Sequence, residues 1–202
     1  MRRLIAPIIV LIIFVVGVFF LWNRLPWLHL QQTTSSDLST GSDMTDATLL
    51  TSPPSYETSP TVGYLAPDFE LPRLNGGVER LSDHLGTPVI LTFWQTTCPF
   101  CKTNLYAINR ATLLRQDPVV VLAVSKQEPR MILNEFLSTH DPLPALRIVL
   151  DIDGAISQKF MADALPRTIF IDASGVVRDV VVGELSVDEV NSAISALKSP
   201  SG

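Results

Sequence analysis

The sequence predicts an α/β layer fold with a central mixed β-sheet flanked by helices. Three observations carry this. Continuous apolar runs at Val89–Trp94 and Val119–Val124 read as strands buried on both faces. Each is followed by a segment of helical periodicity, the alternation that builds parallel sheets. Near the end, two β-rich runs flank Ala173-Ser174-Gly175 as an antiparallel hairpin before a last helix.

In chain order, Met1-Arg2-Arg3 precedes an uncharged apolar stretch from Leu4 to Trp22, long enough to cross a hydrocarbon core as a helix. A cleaved signal peptide has a shorter apolar core and a small-residue cleavage site, and no such site follows. Arg2 and Arg3 outnumber Arg24, so the positive-inside rule keeps the N-terminus cytoplasmic and turns the remainder outward. The expected organisation is an anchor at 1–30, a tether at 31–60 and a folded domain at 61–202. The tether is Ser-, Thr-, Asp- and Pro-rich without Lys or Arg, a composition unable to offset its ordering entropy. As a flexible chain it spans roughly 30 Å.

Within the domain, Asp68–Leu71 and Val78–Leu81 flank Asn75-Gly76-Gly77, a hairpin signal. Ser82–Leu85 reads as a short helical turn. A helix is expected from Pro99 to about Arg115, with Leu105, Ile108 and Ala111 or Thr112 as its core stripe and Asp117-Pro118 as its stop. Pro129 opens a helix to about Thr139, Arg147–Leu150 is a strand, and Ala155–Met161 a short helix. Arg167–Asp172 and Val176–Val182 form the hairpin, and Ser186-Val187-Asp188-Glu189 is a capping box for the last helix.

Composition excludes several classes. The net charge is −5 with no basic cluster, which disfavours nucleic acid. Neither G-x-G-x-x-G nor a P-loop is present, so nothing signals a nucleotide. Asp151-Ile152-Asp153-Gly154 lacks the later ligands of a calcium loop and reads as a tight turn.

The chemistry sits in Cys98-Pro99-Phe100-Cys101, which holds the only two cysteines of the chain. Pro99 suits the first turn of a helix, where its missing N–H costs nothing. Cys98 then lies at the helix N-terminus, where free amides and the macrodipole favour a thiolate. Cys101, one turn in, is close enough to form a disulfide with it. Three other readings of the pair fit poorly. A disulfide across so small a loop removes little chain entropy, so a structural staple is a poor explanation. Zinc needs about four ligands, and only His29, His84 and His140 remain, scattered. Covalent haem attachment needs His after the second Cys, and Lys102 stands there. Thiol–disulfide exchange remains, requiring no metal or organic cofactor.

F-W-x-x-x-C-P-x-C after a strand resembles the thioredoxin superfamily. The Ala66-Pro67-Asp68-Phe69-Glu70-Leu71 opening and the Leu165-Pro166-Arg167-Thr168-Ile169-Phe170-Ile171-Asp172 segment are similar to its membrane-anchored TlpA/ResA branch, which includes ScsD-type proteins with a redoxin (AhpC/TSA-like) domain. The likeness covers about 62–198. It implies a thioredoxin-like fold, with the hairpin as an N-terminal extension, and a cis Pro166 packed against the motif, with the Leu165 backbone pairing to an extended substrate segment. It also implies an extracytoplasmic, single-pass protein of the inner membrane. The expected activity is protein thiol–disulfide exchange, in the reducing direction. Electrons would come from a membrane transporter of DsbD/CcdA kind, and apocytochrome c or another envelope protein would be the client. Trp94 is either a core aromatic or a wall of the site. Phe100 either offers apolar contact to a partner or covers the helix end. Arg167 either supplies local positive charge near the thiolate or is a solvated surface residue, the latter being the expectation, and His84 has no visible partner.

Three positions depart from the family pattern. ResA-like proteins carry a buried acid three residues after the motif, where this chain has Asn104. Thioredoxin carries an Asp six residues before the first cysteine, where this chain has Thr92. A helix proline five residues after the motif is replaced by Tyr106. Asn104 accepts no proton at ordinary pH, so mixed disulfides should resolve slowly or draw on water or the partner for a base. Two other activities stay in view. A peroxidase of the peroxiredoxin kind shares the A-P-D-F-x-L opening, but needs P-x-x-x-T-x-x-C, whose proline is absent. The other is a tethered chaperone or binding module with an inert disulfide.

Overall fold

The computed structural model describes residues 57–113 and 115–197. The expected span 4–22 and the tether up to residue 56 lie outside the described residues. Among the described residues no helix is long and apolar enough to cross a membrane. Residues 57–60, assigned to the tether by composition, are tied to the domain: Ser59 N donates to Leu65 O at 2.9 Å.

The core is a five-stranded mixed sheet in the order β5-β4-β3-β6-β7. Its strands are β3 (Val89–Trp94), β4 (Val120–Lys126), β5 (Leu146–Asp151), β6 (Arg167–Ile171) and β7 (Val177–Val182). β3, β4 and β5 are parallel, while β6 runs antiparallel to both β3 and β7. Helices α1 (Pro99–Leu113) and α2 (Arg130–Thr139) follow β3 and β4. α3 (Ala155–Lys159) follows β5, and α4 (Val187–Ala196) closes the described chain. The Ser186 and Glu189 side chains form the expected capping box at the start of α4. A separate antiparallel pair, β1 (Glu70–Pro72) and β2 (Val78–Arg80), precedes the sheet. β1 starts two residues later than expected because the Asp68 carboxylate is already used, accepting from Phe69 N and Ser82 N. α3 stops short of Met161, which takes a left-handed φ of 54°.

Alternation along β3 divides the interior. Ile90 and Trp94 face one layer with Leu105, Ile108, Phe170, Val190 and Ile194. Leu91 and Phe93 face the other, with Leu71, Leu122, Phe160 and Ile169. α1, α2 and α4 cover the first face. The β1–β2 pair and the loop carrying Phe160 cover the second. All six β3 residues are buried, which is why the run reads as continuous rather than alternating. Full burial stabilises by roughly 2 kcal/mol per large apolar side chain. β3 is thereby the rigid element from which the following turn emerges.

His84 is not without a partner. Its Nε2 lies 2.6 Å from Glu79 Oε1 on β2, which also accepts from Arg147 Nη1 at 2.9 Å, while Arg73 Nε lies 3.2 Å from the other oxygen. Glu79 is 3% exposed. Burial pushes its carboxyl pKa up, but the hydrogen bonds and charges of Arg147 and His84 outweigh this and hold it below the ordinary value. A depressed carboxylate contributes stability that is present above its unfolded pKa and is lost as pH falls through the folded one. Glu79→Gln is expected to cost about 2 kcal/mol at neutral pH, because the half-exposed Arg73 and Arg147 can turn to water. Its denaturant midpoint should also fall less than the parent's on acidification through the carboxylate range. An equal acid slope in both proteins would remove Glu79 as the source.

Candidate active site

β3 ends at Trp94, and the chain turns through Gln95, Thr96 and Thr97. Cys98 N donates to Gln95 O at 3.2 Å, closing the turn. Pro99 then opens α1, its fixed φ suiting the first helical position. Cys98 is therefore at the helix tip, half-buried, while Cys101 one turn in is 0% exposed. The two are joined as a disulfide with Cα atoms 5.3 Å apart. Cys101 N donates to Cys98 Sγ at 3.2 Å. One amide and the positive helix end thus bear on the outer sulfur, the arrangement that stabilises a thiolate once the bond is reduced. Phe100 stands out at 59% exposed beside it. Pro99 is exposed as well.

Beneath the dithiol two of the departing positions meet. Asn104 Nδ2 donates to Thr92 Oγ1 at 3.3 Å and to Thr168 Oγ1 at 3.1 Å. The two hydroxyls are 3.1 Å apart, and Asn104 Oδ1 accepts from Leu185 N at 3.1 Å. All three side chains are fully buried. α1, β3 and β6 are pinned together there by a neutral network whose members satisfy one another. No titratable group belongs to it.

The Leu165–Pro166 peptide is cis, at the start of β6. Pro166 is buried and its carbonyl accepts from Gly183 N at 2.8 Å. Leu165 is half-buried, packing against the cluster that holds Cys98 and Cys101. Trp94 is fully buried in that cluster, its ring 5.4 Å from Phe136. It is thus a core aromatic, in the same cluster as Cys101. Arg167 is not a freely solvated residue: it is half-buried with Nε unpartnered, and burial lowers its pKa against the opposing pull of Asp163.

One group near the turn had no signal in the sequence. Glu128, 8% exposed in the loop after β4, accepts from Thr96 N at 3.0 Å, Thr96 Oγ1 at 2.6 Å and Ser125 Oγ at 2.9 Å. Beside it, Gln95 Nε2 donates to Lys126 O at 3.0 Å, and Lys126 Nζ donates to Ala162 O at 2.9 Å. Thr96 and Glu128 are 32 residues apart, so only the parallel pairing of β3 with β4 brings them together. Among the described residues no cluster of His, Cys, Asp and Glu could hold a metal ion.

Known proteins align with this arrangement. The thiol-disulfide oxidoreductase ResA of Geobacillus kaustophilus is 29% identical over 143 residues, spanning 70% of this chain and 81% of that protein. The thiol:disulfide interchange protein DsbE of Pseudomonas aeruginosa is 28% identical over 133 residues, 64% of this chain and 71% of its own length. The crystal structure of a putative DsbE from Chlorobium tepidum superposes with a TM-score of 0.60 at 26% identity, covering 66% of this chain and 94% of that one. The AhpC/TSA family profile matches residues 62–180, taking in the hairpin, the dithiol and the cis proline. On this fold, this motif and this match, the chain belongs to the AhpC/TSA family, as a thioredoxin-like thiol–disulfide oxidoreductase.

Proposed function

We propose that the protein is a membrane-tethered reductase of extracytoplasmic protein disulfides. The observation that supports this best is the asymmetry of the pair. Cys98 is reachable and receives an amide N–H, whereas Cys101 is sealed from solvent. In this reading the Cys98 thiolate attacks a client disulfide, and the client's leaving sulfur departs as a thiolate that takes a proton. Cys101 then attacks Cys98 Sγ, freeing the second client thiol and restoring the Cys98–Cys101 bond. Two electrons pass to the client, and a membrane dithiol donor of DsbD/CcdA kind returns them. No metal or organic cofactor enters any step. Leu165 and Pro166 are the edge against which an extended client segment pairs, with Phe100 as the apolar contact beside it. The sequence at 4–22 supports the anchor and the outward orientation, and the tether supplies reach.

The test is capture in cells. Cys101→Ser in the full chain stalls the reaction at the first bond, so a client and the donor should both be held as mixed disulfides that reductant dissolves. Recovery of neither, with Cys98 shown to be reduced and open to alkylation, would sink the proposal.

A further inference from the structure

We propose that Glu128 is a positioning residue of the dithiol, whose buried charge behind the 95–97 turn makes the couple more reducing. This rests on Cys98 as the attacking sulfur. Glu128 takes its bonds from neutral donors alone: the Thr96 amide, the Thr96 hydroxyl and the Ser125 hydroxyl. None of the ion pairs among the described residues involves it. An acid 8% exposed and without a cation is an expensive thing to keep, and it is kept on the turn that delivers the nucleophile.

Geometry sets the sign. Glu128 binds the amide two residues before Cys98, and Cys98 N folds back onto Gln95 O, so carboxylate and Cys98 are about 10 Å apart or less. Glu128 itself is 8% exposed, so its charge is screened less than that of a surface carboxylate. A negative charge there opposes a thiolate on Cys98, disfavours the reduced form and so favours the disulfide. The other charged groups at this end of the sheet are committed or offset. Lys126 donates to Ala162 O and Arg130 to Arg73 O. Asp151 accepts from Ile156 N and Ser157. The charge of Arg167 is opposed by that of Asp163, and Lys102 is exposed. The neutral Asn104 network adds no charge from below. Asp151 is likewise buried without an ion pair, but it ends β5, two strands from β3, whereas Glu128 bonds the turn itself and so brings negative potential to the pair.

The experiment titrates the full chain against glutathione. In the balanced reaction glutathione disulfide takes two electrons and two protons from the Cys98–Cys101 dithiol, giving two glutathione thiols and the protein disulfide. Glu128→Gln keeps an acceptor for Thr96 N but removes the charge. It should lower the equilibrium constant for oxidation about three- to tenfold and move the Cys98 alkylation midpoint to lower pH. Thr96→Val removes one clamp bond and leaves the charge, so both readouts should stay within about twofold of the parent. Glu128→Thr is a second neutral variant, and whichever of the two folds is read. An unchanged equilibrium constant in a folded neutral variant overturns the proposal. So does failure of both neutral variants to fold while Glu128→Asp folds, since the residue is then purely structural. If the parent couple itself proves more oxidising than glutathione, the reductase reading fails, while the direction of the Glu128→Gln shift still tests this one.

Discussion

Cys98→Ser is expected to abolish reduction of insulin disulfides, by about a thousandfold or more, with the domain still folded. The outer sulfur is the reachable one, and Cys101 at 0% exposed cannot substitute for it. Members of such a pair act as a unit, so removing either should cost nearly the whole turnover. The kinetics should nonetheless differ. Cys101→Ser keeps the first attack and should release one equivalent of client thiol before stopping. Cys98→Ser should show no burst. Stability separates chemistry from collapse. The disulfide closes a loop with a sequence separation of 3, so losing it should cost only about 2 kcal/mol of unfolding free energy. Residual turnover above a few per cent in folded Cys98→Ser would place the nucleophile elsewhere.

Asn104→Asp should give the opposite result, a faster enzyme. Asn104 sits one turn beyond Cys101 on α1, with side chains on the same face and Cβ atoms about 5–6 Å apart. Asp is isosteric with Asn, and its surroundings can accommodate it. Thr92 and Thr168 can rotate their hydroxyls to donate, and Leu185 N donates already. Burial raises the pKa of a carboxyl at such a site, bringing it closer to that of the thiol it would deprotonate. The expected gain is about tenfold in the step where Cys101 resolves a Cys98 mixed disulfide at neutral pH, followed as release of thionitrobenzoate. Asn104→Ala is the control. It leaves a buried amide and two hydroxyls short of a partner, so it should lose about 2–3 kcal/mol and gain no rate. A folded Asp variant that resolves no faster than the parent would show that proton removal from Cys101 does not limit this step.

The legible part of this protein was local. Val89–Trp94 was readable because a strand buried on both faces has no polar alternation to obscure it. Cys98-Pro99-x-Cys101 was readable because helix-tip chemistry needs only neighbours in sequence. The Ser186–Glu189 cap closes within one turn for the same reason. Boundaries slipped where a side chain from elsewhere intervened, as Asp68 did by holding Ser82 N and delaying β1. The Glu79 cluster and the half-buried Arg167 escaped notice because nothing in a charged residue's own neighbourhood reports what will cover it.

The amino-acid sequence by itself determined the strand, the turn, the helix tip and the pair of sulfurs, because the forces that make them act over a few residues. Tertiary structure alone decided what surrounds that pair. It joined Asn104 to Thr92 and Thr168 across three elements, and it laid Glu128 against Thr96 across two parallel strands. Hydrogen bonds and buried charges act through space, and partners 12 to 76 residues apart become neighbours only once helix and sheet have packed in register.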